Sequence, residues 1–180
     1  SGGLAEIRKA GFILVAGADI AKLNPIVGSE IHRAARGGSE LVTLSARSTQ
    51  IARLSGRHLW LRPGTLRHVL AALAKVLVER GWHDEAFVRE RTEGFDDFAR
   101  SLAVLDLAAL AGAAGLEPAT IEDLARRLAQ ASTAMAFFTS GIAGLDRAST
   151  ALLFDLFLAA GKVGREGCGV NPVTGICNLL

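Results

Sequence analysis

The 180-residue sequence has no tyrosine and only two cysteines, Cys168 and Cys177, both near its end. So few cysteines argue against a small secreted scaffold held by disulfides, and we expect two reduced thiols. The opening stretch, Ser1 to Arg8, lacks the basic and then apolar layout of a signal peptide, which favours a cytoplasmic setting. At this length one domain with a substantial core is expected.

An excess of charge of either sign is also missing, because 20 Lys and Arg stand against 18 Asp and Glu. This balance gives no electrostatic reason to expect nucleic acid or a membrane surface as a partner. Charged residues such as Lys75, Glu79 and Asp155 interrupt the apolar stretches before the roughly 18 to 20 residues that a bilayer crossing requires. We therefore expect no direct membrane insertion.

Short apolar runs alternate with helical patterns along the chain. Buried strands are predicted at 12–16, 41–44, 58–61 and 134–138. After the first strand a loop runs to Leu23, and Asn24 caps a helix that begins at Pro25 and places Ile26 and Ile31 on its inner face. Strands that alternate with helices imply right-handed crossovers and a parallel sheet covered on both sides.

The middle of the sequence is helical. Residues 84–131 lack a strand pattern, and breaks are predicted at Gly94, Gly112 and Gly115. Residues 161–169 are predicted to form an irregular tail. The fold class is therefore α/β, with a Rossmann-like αβα arrangement around a parallel sheet and an added helical cover, spanning residues 1–180 as a single domain.

Ligands of open α/β sheets bind at the carboxyl ends of the strands, so a site is expected where the loops at 17–24, 45–48, 62–66 and 139–145 meet. None of these loops has the G-x-G-x-x-G spacing of an ordinary NAD-binding site. No catalytic residue and no metal ligand is predicted from the remaining motifs. Arg47, on a strand-exit loop, could hold an anion through two hydrogen bonds or could be a solvated surface residue.

The succession of these motifs resembles the molybdopterin oxidoreductases. It consists of a strand with Gly17-Ala18-Asp19 and Asn24-Pro25, then Leu44-Ser45-Ala46-Arg47, then Leu61-Arg62-Pro63-Gly64-Thr65. Segments 88–95 and 164–172 are similar to parts of formate dehydrogenase large subunits. The resemblance covers essentially the whole chain and extends to the large iron-sulfur subunit of NADH-quinone oxidoreductase.

The resemblance implies one of two related αβα domains, each of which cradles one pterin guanine dinucleotide of a molybdenum or tungsten cofactor. In that family the catalytic cysteine or selenocysteine and the iron-sulfur ligands precede this region. We therefore expect a fragment of a larger subunit, whose partners are the remaining domains or subunits of a redox complex, including iron-sulfur proteins. If a pterin guanine dinucleotide is bound, the resemblance implies these cofactor-binding residues: Gly17, Asp19, Lys22, Arg47, Gly64, Thr65 and Gly141.

Several polar positions of the family pattern are apolar in this sequence. Leu23, Leu66 and Gly144 stand where polar side chains are expected, and three unmet partners at roughly 1–3 kcal/mol each would weaken binding by about 3–9 kcal/mol. The sequence therefore favours a scaffold domain of NADH-quinone oxidoreductase type that has lost the cofactor. Two alternatives remain: a working cofactor-binding domain of formate dehydrogenase type, and an unrelated nucleotide-binding or structural α/β domain.

Overall fold

A parallel sheet organises the chain in the computed structural model, which describes residues 3–17, 19–139 and 145–173. Within these ranges the strands are β1 (Phe12–Ala16), β2 (Glu40–Ser45), β3 (Arg57–Trp60), β4 (Ala134–Phe138) and β5 (Gly169–Pro172). A 3-10 helix (Leu4–Lys9) precedes β1. The α-helices are α1 (Ile20–Leu23), α2 (Pro25–Arg36), α3 (Gln50–Leu54), α4 (Leu66–Glu79), α5 (Glu85–Arg91), α6 (Phe95–Ala103), α7 (Leu107–Ala114), α8 (Pro118–Gln130) and α9 (Arg147–Ala159).

The strands lie in the order β3-β2-β1-β4-β5, and each neighbouring pair is parallel. The chain runs outward from β1 to β3 and then crosses back to β4 on the other side of β1. The strand order therefore reverses between β1 and β4, which is the position where open α/β sheets bind their ligands.

Both faces of the sheet are buried because apolar residues follow each other without alternation in the central strands. Phe12 and Leu14 of β1 contribute to the core on one face, whereas Ile13 and Val15 contribute to the core on the other. The first face is covered by α4 and α6 to α9, and the second by the 3-10 helix and α1 to α3. This is the pattern of a parallel sheet enclosed by helices, and it confirms the predicted α/β fold with an added helical cover.

Helix α4 is the centre of the thicker layer. Every residue from Val69 to Leu77 is buried, and the helix packs against α6, α7, α8 and α9. Lys75 lies within this buried stretch, where its ammonium group pairs with Glu79 and points towards the carbonyl oxygen of Leu102 at 3.3 Å. Because residues 69–77 of α4 are buried, the packing of the helix fixes the position of its first turn at the carboxyl edge of the sheet.

Two expectations for the thin layer were wrong. The loop after β1 contains the one-turn helix α1, which is too short to give a periodic pattern. Ile26 is 64% exposed. Gly28, Ile31 and Ala34 lie on the buried face of α2. Ile26 precedes Gly28 by two residues, which corresponds to about 200° around the helix, so Ile26 lies on the opposite, exposed side.

The helical cover and the tail also differ in detail from the predictions. Gly112 lies inside α7, and the break occurs earlier, where Asp106 caps α7 by accepting from the backbone N–H groups of Ala108 and Ala109. The tail ends in β5, which begins at Gly169 and extends the sheet beside β4. The predicted strand and helix sequence is otherwise reproduced, with ends shifted by one or two residues.

Cys168 is a buried thiol that forms no disulfide with any residue that the structure describes, and Cys177 lies outside those residues. Among the helices that the structure describes, none combines the length and apolarity needed to cross a bilayer.

The contact between α1 and α2 gives a first testable prediction. A Cβ atom at Gly28 would lie 2.6 Å from the Ala21 Cα atom, so Gly28→Ala should force α1 away from α2 and destabilise the fold by about 1–3 kcal/mol. Gly112→Ala is the matched control, because a Cβ atom there meets nothing within 4 Å and alanine is the better helix former. Thermal unfolding should show a lower midpoint for Gly28→Ala alone; equal midpoints would contradict the packing described.

Candidate functional site

A cleft of about 890 Å³ opens at the carboxyl edge of the sheet. Its walls come from the segment after β1, the end of β2 with its exit loop, the segment after β3, and the start of α9. These segments meet because parallel strands end on the same edge and each following helix begins there. Three of the four predicted loops therefore meet around one cleft together with Leu145 at the end of the fourth, whose residues 140–144 lie outside the described ranges.

Asp19 links two of these segments. Its Oδ2 atom accepts a hydrogen bond of 2.9 Å from the backbone N–H of Gln50, at the start of α3. Its Oδ1 atom is buried and has no hydrogen-bond partner among the residues that the structure describes. A buried carboxylate oxygen without a donor costs about 1–3 kcal/mol or more, so a ligand that brings an N–H group would be favoured beside it.

The first turn of α4 offers hydrogen-bond donors to the cleft. Gly64 has a φ of 79°, a left-handed conformation that turns the chain into the helix. Thr65 occupies the N-cap position without capping, because its hydroxyl donates to the Arg62 carbonyl oxygen at 2.6 Å. The backbone N–H groups of Leu66 and Arg67 consequently have no acceptor within the described ranges. Such an open helix start favours an anion.

Positive charge exceeds negative charge in the lining. The cationic side chains are Lys22, Arg47, Arg62 and Arg67, against two carboxylates, Asp19 and Asp146. Arg62 is engaged, since it donates to the Gly112 carbonyl oxygen at 2.9 Å. Lys22, Arg47 and Arg67 are exposed and form no salt bridge with any residue that the structure describes. The cleft is therefore suited to a ligand with a compact negative charge.

Asp146 closes the cleft on the side of α9. Its Oδ1 atom accepts a hydrogen bond of 2.6 Å from the backbone N–H of Ser149, which caps the helix. That backbone hydrogen bond, the Ser149 hydroxyl and the positive charge of Arg67 together hold the pKa of Asp146 below its usual value. Asp146 is therefore an anion at neutral pH and is occupied as a helix cap.

Most of the residues predicted for the site lie together. Gly17, Asp19, Lys22, Arg47 and Gly64 all line the cleft. Thr65 lies directly behind Gly64, where its hydroxyl shapes the turn into α4. Gly141 lies outside the described residues. Leu23 and Leu66, predicted as apolar replacements of polar positions, also line the cleft, whereas Gly144 is outside the described residues.

Arg67 and Asp146 are cleft residues that the sequence analysis missed. Arg67 is the second residue of α4, and in the sequence it was hidden inside an apolar helical pattern. Asp146 could have been found from its position three residues before Ser149 at a helix start, a spacing typical of a capping residue. Neither residue belongs to the motifs that carry the family resemblance.

Within residues 3–17, 19–139 and 145–173, no group of three or more His, Cys, Asp or Glu side chains is placed to hold a metal ion.

Basic residues away from the cleft are largely neutralised. Asp123 forms salt bridges with Arg57, Arg126 and Arg127. The hydrogen bonds from these guanidinium groups lower the pKa of the Asp123 carboxyl far below its usual value, and the bond from Arg127 has the largest effect. The cleft thus differs from that cluster in leaving cations without a carboxylate partner.

With this geometry established, comparison with known proteins defines the class. The family model for molybdopterin oxidoreductases matches residues 1–179. The chain belongs to the molybdopterin oxidoreductase family, as the order of its motifs predicted.

Formate dehydrogenases are among the related sequences. The chain is 26% identical over 180 residues to the alpha subunit of F420-dependent formate dehydrogenase 2 from Methanococcus maripaludis, covering 98% of this chain and 26% of that protein. It is 28% identical over 183 residues to formate dehydrogenase H from Escherichia coli, covering 99% of this chain and 25% of that protein. The chain therefore spans about a quarter of the length of these curated relatives.

A solved structure shares the fold. Acetylene hydratase from Pelobacter acetylenicus superposes with a TM-score of 0.67 at 18% identity, covering 87% of this chain and 23% of that protein. At this identity the likeness concerns the fold alone.

The cap at Asp146 gives a pH-dependent prediction. The pKa of Asp146 is lower in the folded chain than in the unfolded chain. Its carboxylate therefore stabilises the fold at pH values above its ordinary pKa of about 3.9, and this stabilisation is lost as the pH falls towards the pKa of the folded state. Wild type should therefore exceed Asp146→Asn in thermal midpoint near neutral pH, and the difference should shrink below about pH 4. A difference that does not change with pH would contradict the role assigned to the charge.

Proposed function

We propose that this chain is a cofactor-holding domain of a formate dehydrogenase-like molybdopterin oxidoreductase. In this proposal the cleft holds the nucleotide end of a molybdenum or tungsten bis(pterin guanine dinucleotide) cofactor. The observation that carries the proposal is the excess of positive charge in the cleft beside the open first turn of α4.

The diphosphate is assigned to the side of the cleft formed by α4. The N–H groups of Leu66 and Arg67 offer hydrogen bonds, and the guanidinium groups of Arg47 and Arg67 can each bind phosphate oxygens through two donors. Lys22 adds a compact positive charge. This set of donors suits a diphosphate, which has many acceptor oxygens and no donor of its own at neutral pH.

The guanine ring is assigned to the side formed by Asp19. Guanine carries an N2 amino group that donates hydrogen bonds, and the Oδ1 atom of Asp19 is a buried acceptor without a partner among the described residues. The family pattern expects an acceptor at the position of Leu66 as well. We propose that Asp19 supplies the acceptor function that Leu66 cannot.

The bound cofactor would supply the redox chemistry of its metal. The contribution of this domain is to bind and orient the nucleotide end, with no proton transfer assigned to any residue of the cleft. Because the chain spans only about a quarter of its curated relatives, we propose that it works inside a larger subunit whose other parts, with iron-sulfur proteins, carry the catalytic and electron-transfer groups.

The scaffold function favoured by the sequence is the second candidate. Leu23 and Leu66 line the cleft, and apolar side chains at the positions of polar cofactor contacts suit a domain that has lost its ligand. Its counterpart in that case is the large subunit of an NADH-quinone oxidoreductase. We favour cofactor binding because a scaffold gives no reason to keep Arg47, Arg67 and the orphaned oxygen of Asp19 around one cleft.

Cofactor content separates the two candidates. The intact protein, purified from a host that makes the cofactor, should contain stoichiometric molybdenum or tungsten by plasma mass spectrometry and release a fluorescent oxidised pterin and GMP in acid. A formate dehydrogenase purified in parallel shows that the host supplies cofactor. Folded protein without metal and without pterin would reject cofactor binding and support the scaffold.

Nucleotide selectivity tests the roles within the cleft. In Asp19→Asn the amide oxygen can still accept from Gln50, but an NH₂ donor replaces the free acceptor, so the intact cofactor-free protein should lose its preference for GDP over ADP without a change in thermal midpoint. Arg47→Ala should weaken GDP binding about ten- to a hundred-fold, since charge-assisted hydrogen bonds contribute roughly 1.5–3 kcal/mol.

Arg53→Ala provides the matched control, because Arg53 is an exposed arginine of α3 that does not line the cleft. Titration calorimetry measures all three variants. Equal GDP affinities for wild type, Arg47→Ala and Arg53→Ala would contradict the assignment of the diphosphate to this cleft.

A further inference from the structure

A layer of polar side chains lies between β2, β3 and α3, on the thin side of the sheet. Thr43 and Ser45 of β2 are aligned with His58 and Trp60 of β3. Ser45 is buried, with 6% of its surface exposed.

Ser45 connects His58 to the loop that carries Arg47. Its Oγ atom lies 2.7 Å from the Arg47 carbonyl oxygen and 2.9 Å from Nε2 of His58. A carbonyl oxygen can only accept, so the single hydroxyl hydrogen of Ser45 is donated to Arg47. Nε2 of His58 must then carry a hydrogen and donate it to Ser45. The chain of donation therefore runs from His58 to Ser45 to Arg47.

Trp60 holds His58 in place from the other side. The ring centroids of the two residues are 4.4 Å apart with an angle of 45° between the planes, and 57% of Trp60 is exposed. The exposed indole therefore packs against the imidazole. Because Ser45 is buried, the hydrogen bond between His58 and Ser45 is partly shielded from water.

The far end of the same loop is fixed independently. Thr49 caps α3 by accepting from the Ala52 N–H at 3.0 Å, and Asp19 accepts from the Gln50 N–H. Residues 46–48 are exposed between these two anchors. The loop therefore has little freedom to change the direction in which Arg47 leaves the backbone.

We propose that His58 and Ser45 are positioning residues, which hold Arg47 ready for the diphosphate. The proposal rests on the function proposed above, because it assigns Arg47 to the same ligand. Ser45 borders the cleft and acts on Arg47 through its hydrogen bond to the loop. His58 does not line the cleft and acts only through Ser45.

The test uses the intact cofactor-free protein with GDP as the probe, measured by titration calorimetry. His58→Leu removes the donor and should weaken GDP binding about tenfold, whereas His58→Gln offers an amide donor in a similar place and should retain most of the affinity. In an Arg47→Ala background His58→Leu should have no further effect, since it acts through Arg47. If His58 has only a general structural role, His58→Leu should weaken GDP binding in the Arg47→Ala background as well.

Nitrogen NMR of the histidines provides a readout that needs no ligand. In wild type the His58 ring should carry its hydrogen on Nε2, and Ser45→Ala should change the Nε2 shift. A His58 ring with hydrogen on Nδ1 alone would overturn the proposal, as would equal effects of His58→Leu with and without Arg47. If wild type fails to bind GDP, the proposed function fails, and the positioning role is overturned with it.

Discussion

Parallel pairing of β1 with both β2 and β4 is the constraint on which the site depends. It places the ends of three strands and the starts of the helices that follow them at one edge of the sheet. The enclosed helix α4 fixes one wall of the resulting cleft, and the cap of α9 fixes another. Residues far apart in sequence, such as Asp19 and Arg67, share a cavity only because of this arrangement.

The electrostatic character of the cleft follows from how its carboxylates are used. Asp146 is committed to the start of α9, and one oxygen of Asp19 is committed to the start of α3. Neither forms a salt bridge with Lys22, Arg47 or Arg67 within the described ranges, and the charge of Arg67 acts on Asp146 only from a longer distance. Asp123, in contrast, neutralises three arginines elsewhere. Carboxylates that cap helices leave the cations available for an anionic ligand.

Much of the fold was predictable because its signals are local. The uninterrupted apolar run of β1 indicated a buried parallel strand, and Asn24-Pro25 indicated the start of α2. Strand β5 was missed because its four residues end in Pro172 and bury only Val170. Helix α1 was missed because four residues give no periodicity.

The site was predictable only as far as strand ends mark it. The rule that ligands bind at the carboxyl edge marked the loops, and the family resemblance implied Gly17, Asp19, Lys22, Arg47 and Gly64 on or beside them, all of which line the cleft. The contact of His58 with Ser45 depends on the register of β2 against β3, which no local pattern specifies. The unpartnered oxygen of Asp19 likewise depends on how two loops pack. It is one reason for preferring cofactor binding over the scaffold function that the apolar replacements had suggested.

An experimental structure of the intact protein, purified under conditions that preserve bound cofactor, tests the central claim most directly. We expect phosphate oxygens within hydrogen-bonding distance of the first turn of α4 and of Arg47, with a ring nitrogen or amino group of the base beside Asp19. A cleft filled by side chains of a neighbouring segment, packed on Leu23 and Leu66 and with Arg47 paired to a carboxylate, would contradict this claim.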